Sequence, residues 1–514
     1  MLKLADLPLQ IQIIKKINST EGSRFDLSCN FQIESVMFMG RSKLYEAAAE
    51  KLLKEIQEGR FLPGERLPSV RELSKRLQRS IATVQKMFEL LERRGWVEAR
   101  PRSGYFVKAQ LPDQDEPPRL PRTRLVPGSV FQWRLALNST SHDPGDLPHL
   151  FGRAMPDLTL TSINPMKRYL ADMTRAASTA ALGYGALQGV EQLRVQIARR
   201  MVEAGCRILP EDILITSGCQ EALLCALQAV TEPGDIIAIE TPTYYGIIQI
   251  LEALKLKALE IPCDPVQGMS LGAMELALEQ WPVKACVVTP NFGNPLGCFM
   301  PKANKEQLVC LANKYDIVVI EDDIYSDLDY RPGRPKAIKA FDTEDRVIMV
   351  SSFSKVIAPG LSVGWMIPGR HFEAVEQQKY ITSLTTPVLP QLALARFLEN
   401  GDYDRHLRRI KPLYQQRRDR VRELVRESFP EGTRSTCPKG GLLLWIELPE
   451  EVDAYQLSQK ALLSGISIAP GPMFSTSGKY SNFIRLSFAT VNTKDSCDAV
   501  KKLGELVAAF MRDV

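Results

Sequence analysis

Apolar positions fall into two regimes along this chain. Through residues 42–107 they recur at helical spacing. SKLYEAAAEKLLKEIQE (42–58) puts Leu44, Ala48, Leu52 and Ile56 on one face, the stripe of an amphipathic helix, with Gly59 as its stop. Ser69 opens S-V-R-E, in which Glu72 can reach back to the Ser69 N–H. This capping box predicts a short helix over Val70–Leu77. Gln78 and Arg79 then make a tight turn. Ser80 caps a longer helix that turns Val84, Met87, Phe88 and Leu91 inward and ends at Gly95. WVEAR, PRSG and YFV read as two strands around a glycine-containing turn.

Beyond residue 129 the apolar runs become continuous: ILIT (213–216), IIAIE (236–240), ACVVT (285–289), IVVIE (317–321) and VIMVS (347–351). Such runs suit strands buried on both faces. Helical stretches such as EALLCALQAV (221–230) and KEQLVCLANKY (305–315) separate them, so the pattern predicts an α/β body with a mostly parallel sheet. The regimes are joined by AQLPDQDEPPRLPRTRLVPG (109–128). Its prolines at 112, 117, 118, 121 and 127 oppose helix and favour an extended, semi-rigid spacer. Four zones result: a weakly patterned extension (1–40), a small helical module (41–108), the spacer (109–128) and the body (129–514). The extension is either a flexible arm or sequence upstream of a start at Met37 or Met39.

A length of 514 residues suits two or three domains. No run approaches the ~18 apolar residues of a membrane span. The N-terminus has no sustained apolar core before a cleavage site, so secretion is not expected. The 10 cysteines form no C-x-x-C pair and are expected as reduced thiols of a cytoplasmic protein. With 4 histidines and no H-E-x-x-H or Cys/His cluster, no metal site is expected. Net charge changes the picture only when divided. Residues 41–110 hold 16 Lys/Arg against 9 Asp/Glu, a net of +7 on a chain whose total is +5. A basic module on a nearly neutral body points to a polyanion partner, although a solvated basic surface would show the same charge.

Two helices, a short turn and a wing make a winged helix-turn-helix. Its second helix would present Ser80, Ile81, Ala82 and Thr83 to base edges in the major groove, with Gln85 and Lys86 on the exposed side. Arg71, Arg100 and Arg102 could reach phosphates or bases, and double-stranded DNA is the expected partner. The stretch LPSVRELSKRLQRSIATVQKMFELLERRGWVEARPRSGYFV resembles the DNA-binding domain of the GntR family at Leu67, Pro68, Ser69, Arg71, Glu72, Leu73, Ser80, Thr83, Val84, Gly95, Arg100, Gly104, Phe106 and Val107. The family often has Arg after the capping residue, where this chain has Ile81.

In open α/β sheets, ligands meet the C-terminal ends of strands. Here ILIT leads to SGCQ and a helix, placing Gly218, Cys219 and Gln220 at a helix N-terminus suited to phosphate. ACVVT leads to PNFGNPLG with Asn294, IVVI to EDDIY with Asp322 and Tyr325, and VIMV to SSFSKVIAPG with Ser352, Ser354 and Lys355. Singly, these read as a turn, a turn initiator, a helix cap and a surface lysine. Jointly they supply a phosphate cradle, an amine, a carboxylate and a phenol, the set that pyridoxal 5'-phosphate (PLP) chemistry uses.

Their order and spacing resemble the fold-type I aminotransferases over most of residues 180–490. The resemblance implies Lys355 as the Schiff-base lysine, Asp322 at the pyridine nitrogen, Tyr325 and Asn294 at O3' and Tyr244 stacked on the ring. It also implies Gly218, Cys219, Gln220, Ser352 and Ser354 around the phosphate, Tyr184 reaching the partner subunit's phosphate, and Arg485 clamping a carboxylate bidentately. One departure stands out. Where the signature continues S-x-S-K-x-x-x-P-G-x-R-x-G with a phosphate-binding arginine, this chain has Ser362. That leads us to expect reversible PLP occupancy, unless another Arg or Lys fills the place.

A GntR-type module, a proline-rich linker and this body together resemble the MocR subgroup of GntR regulators. That implies a homodimer in which PLP, alone or with a small amine or amino acid, changes DNA binding. Two other readings use the same residues: a working aminotransferase with a DNA-binding appendage, and a regulator that has lost PLP but keeps the fold.

Overall fold

The computed structural model describes residues 43–57, 60–61, 64–93, 96–100, 103–107, 116–128, 147–176 and 182–512. The extension 1–40, Gly59, Gly95, Arg102 and the Leu44 side chain lie outside the described residues. The chain divides into two compact units, Met1–Pro112 and Asp113–Val514.

In the small unit, α1 (Lys43–Gln57), α2 (Val70–Leu77) and α3 (Ile81–Arg93) precede a hairpin of β1 (Val97–Arg100) and β2 (Gly104–Val107). The capping box forms as the sequence dictates. Glu72 N–H donates to Ser69 Oγ (3.3 Å) and Ser69 N–H to Glu72 Oε2 (2.7 Å). Gln78 closes α2 in the left-handed region at φ 52°, which turns the chain at once into α3. Ala48, Ala49, Leu52 and Ile56 of α1 meet Val84, Met87, Phe88 and Leu91 of α3 in a core completed by Leu73, Val97 and Val107. Residues 64–67 lie along β2 as well: Leu67 N–H donates to Tyr105 O and Val107 N–H to Glu65 O. This third edge of the wing has no alternating signature, because its glycine, charges and proline hide a short bridge.

The large unit is built on an eight-stranded sheet. Its strands are β3 (Leu214–Thr216), β4 (Ile236–Thr241), β5 (Lys257–Asp264), β6 (Gly268–Met269), β7 (Val283–Val288), β8 (Val318–Asp322), β9 (Val347–Ser352) and β10 (Gly364–Ile367). The order across the sheet is β3-β10-β9-β8-β7-β4-β5-β6. From β9 through β8, β7 and β4 to β5 neighbouring strands are parallel, while β10 and the short β6 pair antiparallel. Along β8, Val318 and Ile320 enter one core cluster and Val319 the other, the two-faced burial that the continuous apolar runs predict.

A second, antiparallel sheet joins β11 (Arg434–Ser435), β12 (Leu443–Glu447), β14 (Phe483–Ser487) and β13 (Ala469–Pro470) in that order. Residues 116–128, part of the stretch expected as a spacer, lie against the large unit. Arg119 N–H donates to Glu447 Oε2 (2.7 Å), Trp281 Nε1 donates to Leu125 O (3.1 Å), and Gly128 exchanges backbone bonds with Ala258.

Candidate functional site

The small unit offers one polar surface at the start of α3. Ser80 Oγ accepts the Thr83 N–H (3.2 Å) and shares a hydrogen bond with Thr83 Oγ1 (2.8 Å), so the cap and the expected reading surface are the same atoms. Ser80, Ala82, Gln85, Lys86 and Arg71 are exposed, and Ile81 is 49% exposed, an apolar side chain spent on solvent. On the wing, the Arg100 guanidinium pairs with Glu98 and lies 4.3 Å from the Phe106 ring centroid. Gly104 turns at φ 100° beside the exposed Arg66, whose guanidinium stands 3.4 Å from where a Cβ on Gly104 would be. Arg66 was not among the residues the sequence singled out; its place immediately before Leu67-Pro68-Ser69 was the available signal.

In the large unit, the ends of β3, β7, β8 and β9 converge on a cavity of about 230 Å³. Gly218, at φ 96°, turns the chain from β3 into α4 (Cys219–Val230), whose first N–H groups face the cavity. Gly364 on β10 is what lets α4 begin there: a Cβ on it would lie 2.5 Å from the Gly218 carbonyl carbon. Gly218, Cys219, Gln220, Tyr244, Asn294, Asp322, Tyr325, Ser352, Ser354 and Lys355 all line the space. Ser217, Thr289 and Ser362 line it too. Ser352 and Ser354 share a hydrogen bond of 2.8 Å, and Ser362 Oγ donates to Ser217 O (3.2 Å).

Burial tunes the ionisable groups. Desolvation pushes the Asp322 carboxyl up to about 6, against hydrogen bonds from Cys219 Sγ (3.4 Å) and Ile324 N–H (3.2 Å) that favour its charged form. Burial, with the nearby Arg485 charge, pushes the Lys355 ammonium down to about 8. Lys355 Nζ donates to Ala154 O (2.8 Å). Burial also holds the Tyr325 and Tyr244 phenols and the Cys219 thiol above their ordinary values, which keeps all three protonated near neutral pH.

Arg485 lies behind this wall. It is 1% exposed, donates to Asn294 Oδ1 (3.1 Å) and to Gly152 O, and its Nε has no hydrogen-bond partner among the described residues. Tyr184 is 84% exposed and does not face the cavity. Nothing in the sequence marked Gly152 and Ala154, whose carbonyls take the donors of Arg485 and Lys355. Backbone acceptors carry no residue signature.

Two family models match, "Bacterial regulatory proteins, gntR family" over residues 44–107 and "Aminotransferase class I and II" over residues 155–503. The uncharacterized HTH-type transcriptional regulator YjiR of Escherichia coli is 41% identical over 91% of this chain and 99% of its own length. This chain belongs to the GntR-type regulators that carry an aminotransferase class I and II domain. The body of this GntR-type regulator is similar to solved enzymes as well. A multiple substrate aminotransferase from Thermococcus profundus is 29% identical, covers 75% of this chain and 97% of its own, and has a TM-score of 0.68. The α-aminoadipate aminotransferase of Thermus thermophilus, complexed with N-(5'-phosphopyridoxyl)-L-leucine, is 27% identical over 75% of this chain and all of its own, with a TM-score of 0.67.

The aminotransferase domain of the regulator implies pyridoxal phosphate, and the donor set fits it. One end of the cavity offers helix N–H groups and hydroxyls suited to a phosphate. The same cavity is lined by a carboxylate, a phenol, an amide and an amine. Among the described residues that line it, Lys355 is the one cation.

Proposed function

We propose that this chain is a DNA-binding transcription regulator that holds PLP on Lys355 and changes its DNA binding with PLP occupancy, alone or together with a small amine or amino acid. The observation that carries this reading is the coexistence, in one chain, of an exposed helix-turn-helix surface with a cavity lined by half-buried Lys355 and buried Asp322, Tyr325 and Asn294. When bound, PLP supplies an aldehyde that a neutral amine can capture and a ring that can accept electrons. The residues do the rest. Burial keeps part of Lys355 neutral. The Asp322 carboxylate would hold the proton of the pyridine nitrogen, Tyr325 and Asn294 would serve O3', and Tyr244 would serve the ring. Gly218, Cys219, Gln220, Ser352 and Ser354 would hold the phosphate. Arg485 is the group for an effector carboxylate, with a fork that suits two oxygens.

On the DNA side, Ser80, Thr83, Gln85 and Lys86 face bases, while Arg71, Arg100, Arg102 and the Gly104 turn meet phosphates or bases, joined by Arg66. The exposed Tyr184 supports a homodimer in which it reaches the partner's phosphate. A two-fold dimer presents two wings and calls for paired half-sites. No helix among the described residues is long and apolar enough to cross a membrane. We place the regulator in the cytoplasm, with no metal.

The test is direct. Borohydride reduction of the PLP-treated protein should fix the cofactor to Lys355, as read by peptide mass, and Lys355→Ala should abolish the adduct. DNA affinity should change with PLP in the wild type and not in Lys355→Ala. It should also fall steeply with salt, as counterion release requires. The complete residue set, Arg485 included, favours a second reading, a working aminotransferase. Sustained turnover of an amino acid with a 2-oxo acid would establish it.

A further inference from the structure

Residues 116–128 belong to the large unit and pack on the rest of it at places that also touch the ligand wall. Arg485 sits 5.3 Å from the Phe474 ring centroid. Phe474 packs edge-on against Trp445 (5.3 Å), and Trp445 stacks with Phe483 (5.4 Å). Trp445 is also the register partner of Arg485 across β12 and β14. Phe474 O accepts the N–H of Thr243, the residue before Tyr244 of the cavity, and Tyr245 leans on the same ring. Leu120 packs on the outer side of this aromatic cluster.

Polar ties flank that contact. Arg119 N–H donates to Glu447 Oε2, and Arg434 bridges Glu447 and Glu116. Directly after Phe474, Ser475, Thr476, Ser477 and Lys479 all donate to Glu260, and Lys479 Nζ also donates to Thr123 Oγ1 (3.3 Å). Farther along, Trp281 holds Leu125 O.

We propose that the face made by Glu447, the Trp445–Phe474–Phe483 cluster, Lys479 and Trp281 is a dock for the chain's own residues 116–128, and that a carboxylate at Arg485 is read through it. The proposal rests on the regulatory reading given above and names its route. The guanidinium now spends its bonds on Asn294 and Gly152 O, with Nε unpaired. A ligand carboxylate draws it into a new position. Phe474 lies against it in a core packed without slack, so the ring and its neighbours must follow. The strap has two discrete states, docked and released. Buried Pro118, half-buried Leu120 and Leu125 and a handful of hydrogen bonds hold it, and Leu120 is the one of these packed on the Phe474 cluster, so a shift in Phe474 biases that equilibrium. Released or docked, it sets the freedom of the DNA-binding unit that precedes it.

Full-length wild type, Leu120→Ala and Lys479→Met are compared on a duplex selected from random sequence by the wild-type protein. Each is assayed without ligand, with PLP, and with PLP plus a pool of the common L-amino acids. PLP affinity should stay within about twofold of wild type in both variants, ligand-free DNA affinity should move to the value of the ligand-bound wild type, and the ligand-dependent change, roughly 5- to 150-fold for coupled sites, collapses to under about twofold. Hydrogen exchange over residues 116–128 should change with ligand in the wild type and be insensitive to it in the variants. A responsive wild type with equally responsive variants overturns the dock and leaves the regulatory reading standing. A wild type that binds DNA but ignores every ligand overturns both.

Discussion

Replacing Ser362 by arginine tests the phosphate end of the cavity. Ser362 ends a short helical turn in the left-handed region at φ 47° and is exposed, so a longer side chain has room without displacing core. Both residues carry a Cβ, so the backbone cost already met by serine is common to the two. The Oγ lies 4.0 Å from where a Cβ on Gly218 would stand, at the first turn of α4, so a guanidinium from this position would reach the end of the cavity proposed for the phosphate. A hydrogen bond to a charged group contributes ~1.5–3 kcal/mol, which is roughly 10- to 150-fold in affinity. Solvent at an exposed position screens the pair, so we expect the lower end, about tenfold tighter PLP in Ser362→Arg. The hydrogen bond from Ser362 Oγ to Ser217 O is lost, at a cost to stability of ~1 kcal/mol. PLP titration of the stripped protein, followed by fluorescence quenching at low and high salt, reads the effect, and the gain should shrink as salt rises. Wild type should shed PLP on gel filtration while the variant keeps it. Equal or weaker PLP binding by a variant with native circular dichroism would refute the reasoning.

Gly364→Ala places a methyl group 2.5 Å from the Gly218 carbonyl carbon, so α4 must shift; PLP affinity should fall while the small unit's DNA affinity at low salt is unchanged, measured by titration and by gel shift. PLP uptake should speed up as pH rises through about 8, because only neutral Lys355 captures an aldehyde, and then level off. Burial is the main cause of that low value and the Arg485 charge the next, so Arg485→Met should move the midpoint upward; an unmoved or lowered midpoint in rate-against-pH profiles contradicts this assignment. Arg334, 4% exposed, donates to Asp323 and Asp327. Arg334→Leu leaves the buried Asp323 without its ion-pair partner, while Asp327 keeps Arg200 and the Tyr403 hydroxyl, and should cost the large unit ~3 kcal/mol in urea unfolding.

The features legible in the sequence were those enforced by local chemistry. Ser69 and Glu72 announce their helix because the capping box is closed within four residues. The parallel strands β4, β7, β8 and β9, and β3 with them, announce themselves because both faces require apolar side chains, and the polar residues at their ends then had to meet. Other elements depend on distant partners. β5 reads KALEIPCD, broken by Glu260, a carboxylate tolerable inside only because Ser475, Thr476, Ser477 and Lys479 donate to it from more than two hundred positions away. β10 has four residues and starts with the glycine that Gly218 needs. The strap at 116–128 looks like a linker because prolines dominate it, and its anchors on Glu447 and Trp281 carry no local mark. Arg485 was found by motif, but its burial behind Asn294 could not be, since that depends on where Gly152 lies.

The small unit draws its core from its own helices and wing, with Phe88 stacked on Tyr105 and both ends of α2 capped by local bonds. Its folding therefore asks nothing of a ligand. A cell short of ligand still holds an intact reader, hidden from the proteases and chaperones that clear unfolded chains. On the proposed function, the speed of the response would be set by how fast small molecules come and go, not by synthesis or refolding. One molecule can be set and reset many times within its lifetime.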